Sequence, residues 1–311
     1  MKKISVVVPC FNEAENIETT YQTIKNILEK YENYSYEIIF GDNDSIDASE
    51  EILKKIASED KNVKVILNNR NFGPECNTYN IITSAAGDAV ILICCDLQDP
   101  PEMIFKFIEG WEKGHKVVWG QKTTSKESYL MYQVRSLYYK IIKLMSDIPQ
   151  YKHCIGFGLY DKSVVEQLRH IKNPNPIIRN VIPDLGYKPL LLPYAQKIRE
   201  KGHTSYNFFR YFDTALNSLI QTSKVPMKIM IYIGIMMGTL SFIIGLIYLV
   251  YKLLHWDTFY AGVAPMIILF SFVTSIQIFF MGIIGEYLLA VLDRVSYTKN
   301  VIEKERINFD K

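Results

Sequence analysis

No Gly-x-Gly-x-x-Gly follows the first apolar run of this 311-residue chain, and no P-loop lysine motif occurs anywhere in it. That disfavours the common dinucleotide and ATP cradles, whose glycines let backbone amides close on phosphates. An excess of either charge is lacking too. The 35 Lys and Arg against 33 Asp and Glu leave a net charge of +2, which argues for neither nucleic acid nor an acidic tail. No Cys/His spacing suggests zinc. The five cysteines, Cys10, Cys76, Cys94, Cys95 and Cys154, are odd in number and mostly embedded in apolar runs. They read as reduced core hydrophobes in a cytosolic setting rather than as a disulfide framework. The opening apolar run stops at Pro9. It is expected to be too short for a signal-peptide core, and no small-residue cleavage site is nearby. The length leaves room for one large domain or two smaller ones.

Charge is also missing from two long stretches near the C-terminus. Residues 229–251 run for 23 positions without a charge, and residues 259–285 for 27. At about 1.5 Å per residue, each is long enough to cross a hydrocarbon core roughly 30 Å thick. A pair of buried helices in a large soluble protein is the alternative, but such helices rarely run so long uncharged. The linker between them is short and carries only Lys252, whereas Lys224 and Lys228 precede the first run and Arg294, Lys299, Lys304 and Arg306 follow the second. The positive-inside rule then predicts a hairpin with both termini in the cytoplasm. Two further segments, 128–147 and 206–226, mix apolar residues and cations at helical spacing. They fit helices lying flat on a membrane, or equally helices packed on a soluble domain.

The first two thirds alternate. "ISVVVP", "YEIIFG", "VKVIL", "DAVILIC" and "KVVWG" read as strands, and helical patterns separate the first four. This is the signature of an α/β domain with a mostly parallel sheet and right-handed crossovers, which gathers its ligands at the carboxyl ends of the strands. Three polar clusters fall there: Asn12-Glu13, Asp42-Asn43-Asp44-Ser45 and Asp96-Leu97-Gln98-Asp99. Carboxylates beside a glutamine can hold a hard divalent cation that also meets substrate phosphates. Asp96 is the best single candidate ligand. Asp99, before a double proline, is expected to cap the helix beginning near Glu102, and Asp47 to cap the helix after the second strand. Asp42 is placed to hydrogen-bond a base or ribose.

The stretches "SVVVPCFNEAENI", "NRNFGPECN" and "DLQDPPE", the acidic turn after the second strand and the C-terminal apolar pair together resemble the polyprenyl-phosphate glycosyltransferases of glycosyltransferase family 2. The group includes dolichol-phosphate mannose synthases and bactoprenol glucosyltransferases, and the likeness covers nearly the whole chain. It implies a GT-A catalytic domain over residues 1–205, an interfacial helix at 206–226, two membrane helices within 227–294 and a cytoplasmic tail at 295–311. It also implies a UDP- or GDP-linked sugar donor, Mg²⁺ or Mn²⁺, and inverting transfer to a polyprenyl phosphate at the cytoplasmic membrane face. Residue by residue, it puts Pro9, Phe11 and Glu13 in the nucleotide-binding first loop, Asp42 on the nucleoside, and Asp96 and Gln98 at the metal. It puts Arg135 and Ser136 near the lipid phosphate, and Arg199 over the donor diphosphate.

The chain departs from the family's pattern in four places. Cys94 replaces the first aspartate of Asp-x-Asp, and Gly156 stands where Gly-Asp-Phe has its aspartate. Asp42-Asn43-Asp44-Ser45 stands for Asp-Asp-Gly-Ser, and Gly120-Gln121-Lys122 for Gly-Val-Arg. A phosphate monoester acceptor is already anionic near pH 7, so it needs positioning and charge neutralisation more than a general base. Two rival readings remain: transfer to another lipid or a glycan hydroxyl, which would require a base, and a degenerate membrane scaffold. Gly234, Gly238 and Gly245 would let copies of the first apolar helix approach closely.

Overall fold

The computed structural model describes residues 1–31, 33–124, 149, 151–171, 176–196, 263–295 and 301–309, with scattered positions between 232 and 254. Within 263–295 only part of the side chains is described. In chain order the elements are β1 (Lys2–Cys10), α1 (Ala14–Leu28), β2 (Tyr34–Asp42), α2 (Ser49–Glu59) and β3 (Val63–Asn68). Then come α3 (Pro74–Ser84), β4 (Ala89–Leu92), α4 (Met103–Glu112), β5 (Val117–Thr124), β6 (Gly158–Asp161) and α5 (Lys162–His170). The remainder are α6 (Ile178–Asp184), β7 (Leu190–Ala195), α7 (Val263–Val295) and β8 (Glu303–Ile307).

The strands form one sheet in the order β7-β5-β6-β4-β1-β2-β3-β8. The four central strands are parallel, as the alternation of strand and helix predicts. β6 enters antiparallel between β4 and β5, so β5 joins the sheet one place further out than simple alternation suggests. β7 runs parallel to β5, and β8 antiparallel to β3. The result is a doubly wound, mostly parallel α/β sheet.

Alternate residues of β1 feed two cores, because successive side chains of a strand point to opposite faces. Ile4, Val6 and Val8 pack with Ile17 and Ile24 of α1, Leu53 of α2 and Phe107 of α4. Val7 packs with Ile81 of α3, Val164 of α5 and Ile182 of α6. A charge is also buried in this frame. Glu37 of β2, 1% exposed, accepts from Ser5 Oγ at 2.5 Å, Lys3 Nζ at 2.6 Å, Lys64 Nζ at 2.9 Å and the Ala86 amide at 2.9 Å. Burial alone would raise its pKa. The donors outweigh burial and hold the carboxyl at about 2, down from 4.5.

The segment 295–311, expected as a tail, supplies β8. Asn308 Nδ2 donates to Ala57 O and Val63 O, both at 2.7 Å, and Lys304 pairs with Glu50 at 3.0 Å. β8 thereby covers an edge of β3 that would otherwise offer unpaired backbone groups. Residues 263–285 of the second charge-free run lie in α7, a single 33-residue helix. Its described side chains include exposed Met266, Leu269, Phe270, Met281 and Leu288. Counted over the described residues alone, no helix is long and apolar enough to cross a membrane. The segments 128–147 and 206–226 lie outside the described residues.

Two outcomes are expected. Glu37→Gln should lower stability by about 3 kcal/mol, the low end for a broken buried pair because Lys3 stays partly in water. The folded pKa of Glu37 is depressed, so its contribution is present above pH 4.5 and fades as pH falls towards 2. Denaturant unfolding of wild type and variant should therefore converge across that window. Deleting residues 301–311 should lower Tm by at least about 5 °C and promote association through the bared edge of β3, seen by light scattering.

Candidate active site

The three polar clusters meet at the carboxyl edge of the sheet because β1, β2 and β4 are adjacent and parallel. Each loop contains one non-glycine residue in the left-handed region: Asn12 (φ 55), Asp44 (φ 63) and Leu97 (φ 50). Asn and Asp tolerate that conformation, whereas Leu97 is an outlier that its surroundings must enforce.

The first two loops are stitched together. The Asn43 amide donates to Cys10 O at 3.0 Å, the Asn12 amide to Ser45 Oγ at 2.8 Å, and the Ile46 amide to Asn12 Oδ1 at 2.9 Å. The Glu13 amide donates to Ser49 Oγ at 3.1 Å, and Asn16 Nδ2 donates to Glu13 Oε2 at 2.6 Å. Asp47, expected to cap α2, lies one residue before its N-cap, Ala48. Its carboxylate accepts from Ser49 N at 3.0 Å and from Ala14 N at 3.1 Å, tying the starts of α2 and α1 together. Asp42 is 1% exposed, and it accepts from the Ser45 amide at 3.0 Å and hydroxyl at 2.5 Å. Burial pushes its carboxyl up despite those two bonds, and Glu50 and Asp47 add to the rise. Pro9, opposite Gly41 in the β1–β2 register, and Phe11 are both half-buried beside it.

Asn43 carries a side-chain relay that the sequence did not announce. Its Oδ1 accepts from Asn68 Nδ2 at 3.0 Å and the Phe72 amide at 3.1 Å, and its Nδ2 donates to Asn71 at 2.9 Å. Asn68 Nδ2 also donates to Asn77 Oδ1 at 3.0 Å, and Asn77 Nδ2 to Gly41 O at 2.8 Å. The relay fixes the 68–77 loop against the Asp42 turn.

The third cluster corrects an expectation. Asp99 does not cap α4: that helix starts at Met103, with Glu102 at its N-cap and no side-chain cap bond. Asp99 is instead 2% exposed, accepting from Tyr194 Oη at 2.6 Å, with Lys122 Nζ 4.0 Å away. Burial pushes its carboxyl up, against the pull of Lys122 and Tyr194. The double proline explains the misreading, since Pro at a helix start is a general signal that says nothing of what precedes it. Asp96 is half-buried, and its Oδ1 accepts from the Gln98 amide at 3.2 Å. Gln98 Oε1 accepts from Gln196 Nε2 at 3.0 Å. Cys94 lies among these groups. Burial first, then Asp99 and Asp96, push its thiol up, so it stays neutral rather than replacing a carboxylate. Cys10, at the end of β1, is raised by burial, then Cys95, then Asp42 and Glu13, consistent with the clusters being neighbours.

Arg135, Ser136 and Arg199 lie outside the described residues. Lys122, noted in the sequence only as part of Gly120-Gln121-Lys122, completes the acidic end of the site with Tyr194 and Gln196, which the sequence did not single out. The prolines in "KPLLLPYAQ" mask the strand that carries Tyr194 and ends just before Gln196. Among the described residues no three His, Cys, Asp or Glu are grouped to hold a metal. The donor set that is present, one carboxylate and one amide oxygen, suits a hard cation that shares its shell with substrate phosphates.

The chain matches the family model described as Glycosyl transferase family 2 over residues 5–169. It is 31% identical over 290 residues to the uncharacterized glycosyltransferase YkcC of Bacillus subtilis, covering 93% of this chain and 89% of that one. It is 31% identical over 288 residues to a prophage bactoprenol glucosyl transferase homolog of Escherichia coli, covering 92% and 93%. With the bactoprenol glucosyl transferase of Shigella phage SfX it shares 30% over 288 residues, again 92% and 93%. Glucosyl-3-phosphoglycerate synthase from Mycobacterium tuberculosis, solved with phosphoglyceric acid, aligns at a TM-score of 0.50 and 17% identity. That alignment covers 71% of this chain and 79% of the other, and supports a GT-A-like fold.

An aspartate at position 156 would be strained by the backbone. Gly156 has φ +96, and Tyr160 Oη donates to its carbonyl at 2.5 Å. Gly156→Asp should therefore cost about 1–2 kcal/mol in chemical denaturation, and nucleotide affinity measured by titration should not improve.

Proposed function

Because the chain belongs to glycosyl transferase family 2, we propose that it moves a sugar, with inversion, from a nucleotide-sugar donor to a polyprenyl phosphate at the cytoplasmic face of a membrane. The observation that carries the reading is the meeting of the Asp42 turn and the Asp96-to-Asp99 loop on either side of β1. A donor laid across that edge puts its nucleoside beside Asp42, Pro9, Phe11 and Glu13, and its diphosphate beside Asp96. The lipid-linked acceptor is supported by the bactoprenol glucosyl transferases, alike over 92% of this chain.

In this reading one acceptor phosphate oxygen attacks the anomeric carbon as its bond to the diphosphate breaks, and a single displacement inverts the centre. The acceptor is already anionic, so no side chain has to take a proton. Mg²⁺ or Mn²⁺, held by oxygens of Asp96 and Gln98, would neutralise charge on the leaving diphosphate. Lys122 adds fixed positive charge at the acidic end. Arg135 and Ser136 would meet the lipid phosphate, and Arg199 the diphosphate. The two charge-free runs would anchor the chain as a hairpin, with both termini and the catalytic domain cytoplasmic. The exposed apolar side chains of α7, Met266, Phe270 and Met281 among them, support this, since contact with lipid rather than water would account for them. Gly234, Gly238 and Gly245 would bring copies together in the membrane.

A transfer assay tests the reading. Detergent-purified protein receives undecaprenyl phosphate, Mn²⁺ and, in turn, radiolabelled UDP- and GDP-sugars. Label should enter the organic phase with one donor, and Asp96→Ala should reduce it by at least about 100-fold. Label on a hydroxyl acceptor alone would move the assignment to the first rival. No transfer and no nucleotide binding would leave the scaffold.

A further inference from the structure

The acidic loop is held from a distance. Tyr194 and Gln196 lie about a hundred residues beyond it, at and just past the end of β7, which among the described residues pairs with β5 alone. Tyr194 Oη donates to Asp99 Oδ1 at 2.6 Å, and Gln196 Nε2 reaches Gln98 Oε1 at 3.0 Å and Asp99 Oδ1 at 3.4 Å. Several features aim Tyr194 at this contact. Gly120 of β5 leaves the space, since a Cβ there would meet Tyr194 Cε1 at 2.8 Å and Phe157 Cδ1 at 2.7 Å. Phe157 packs edge-on to the phenol at 5.3 Å, and Thr123 Oγ1 donates to the Tyr194 carbonyl at 3.0 Å.

We infer that Tyr194 and Gln196 are positioning residues, a brace that fixes Asp99 and Gln98 and so sets where the Asp96 carboxylate sits. The inference deepens the transferase reading and rests on it for the role of Asp96. Stability is a poor account of the arrangement. A phenol and a carboxylate removed from water gain little over an apolar pair of the same volume. The brace helps explain how Leu97 keeps a left-handed backbone: the Asp96 carboxylate before it accepts from the Gln98 amide, and the Gln98 side chain after it is tied to Gln196. It also keeps one lone pair of Gln98 Oε1 occupied by Gln196, which leaves a single orientation for the second.

Tyr194→Phe removes only a hydroxyl, and Gln196→Ala cuts the second arm. Both are made in the full-length protein and followed by hydrogen exchange of a peptide spanning 94–102. UDP titration at varied Mn²⁺ and thermal melting complete the comparison. Exchange in that peptide should speed up about tenfold, with β1 and β2 amides still protected. The Mn²⁺ concentration that half-saturates UDP binding should rise about tenfold, as when a group that orients a metal ligand is removed. UDP affinity without metal should stay unchanged. Unaltered loop exchange in both variants would overturn the brace, and so would a loss of protection spread evenly over the sheet. If the wild-type protein bound no UDP at any Mn²⁺ concentration, the transferase reading would fail, while the exchange data would still decide the brace.

Discussion

β1 is hydrogen-bonded along both edges, Val7 lying between Ile39 and Leu92, and is covered by helices on both faces. From Ile4 to Val8 every residue is buried, so no charge can sit along the strand without a full set of partners. Water and hydrogen-bonding capacity are available only where the strand ends. The neighbouring strands are bound by the same constraint. Parallel pairing then delivers their polar ends to one side, and the helical returns keep the loops there short. The site is thus a consequence of burying β1. Glu37 is the exception that tests the rule, and it brings Lys3, Lys64, Ser5 and a backbone amide with it.

What stiffens those loops is amide and hydroxyl chemistry rather than ion pairing. Ser45, Asn12, Asn43, Asn68 and Asn77 pass hydrogen bonds between the ends of three strands. Each such bond is worth about 1 kcal/mol net, so the network does little for overall stability. Its effect is geometric. Asp42 is surrounded by groups that cannot move independently, and a ligand meeting it would find the carboxylate already placed. The acidic end obeys the same logic with a longer reach, because its restraints come from β5 and β7.

The sequence made the central half legible and the periphery much less so. β1 to β4 are rich in apolar and β-branched residues with helices between them, and periodicity reads such patterns directly. The added strands broke those rules for physical reasons. β6 is four residues long and opens on Gly158, β7 contains Pro193, and β8 carries four charges in five residues. Each is stabilised by pairing in the sheet rather than by its own pattern. The same limit applied to the site. Asp42 and Asp96 were recognisable from their place after a strand. Asp99 was not, because its partners Lys122 and Tyr194 are distant in sequence, and a local cap was the only role its neighbours could suggest. Asp47 sits one residue before the N-cap of α2, Ala48, and its bonds to the Ser49 and Ala14 amides depend on the fold.

The substitutions at the acidic end form one pattern. The Cys94 thiol stays protonated, Gly156 offers no side chain, and Asp99 is occupied with Tyr194 and Lys122. Asp96 is then the one carboxylate of the loop left half-exposed. A transferase that had to deprotonate a hydroxyl would want a second carboxylate nearby, close to the attacking oxygen. An acceptor that arrives as a phosphate anion imposes the opposite demand, since an added carboxylate would repel it as it approached. With Lys122 drawn in by Asp99, the acidic end is less negative than its spelling suggests. On that electrostatic argument the missing aspartates are compatible with the proposed phosphate nucleophile, which needs no base.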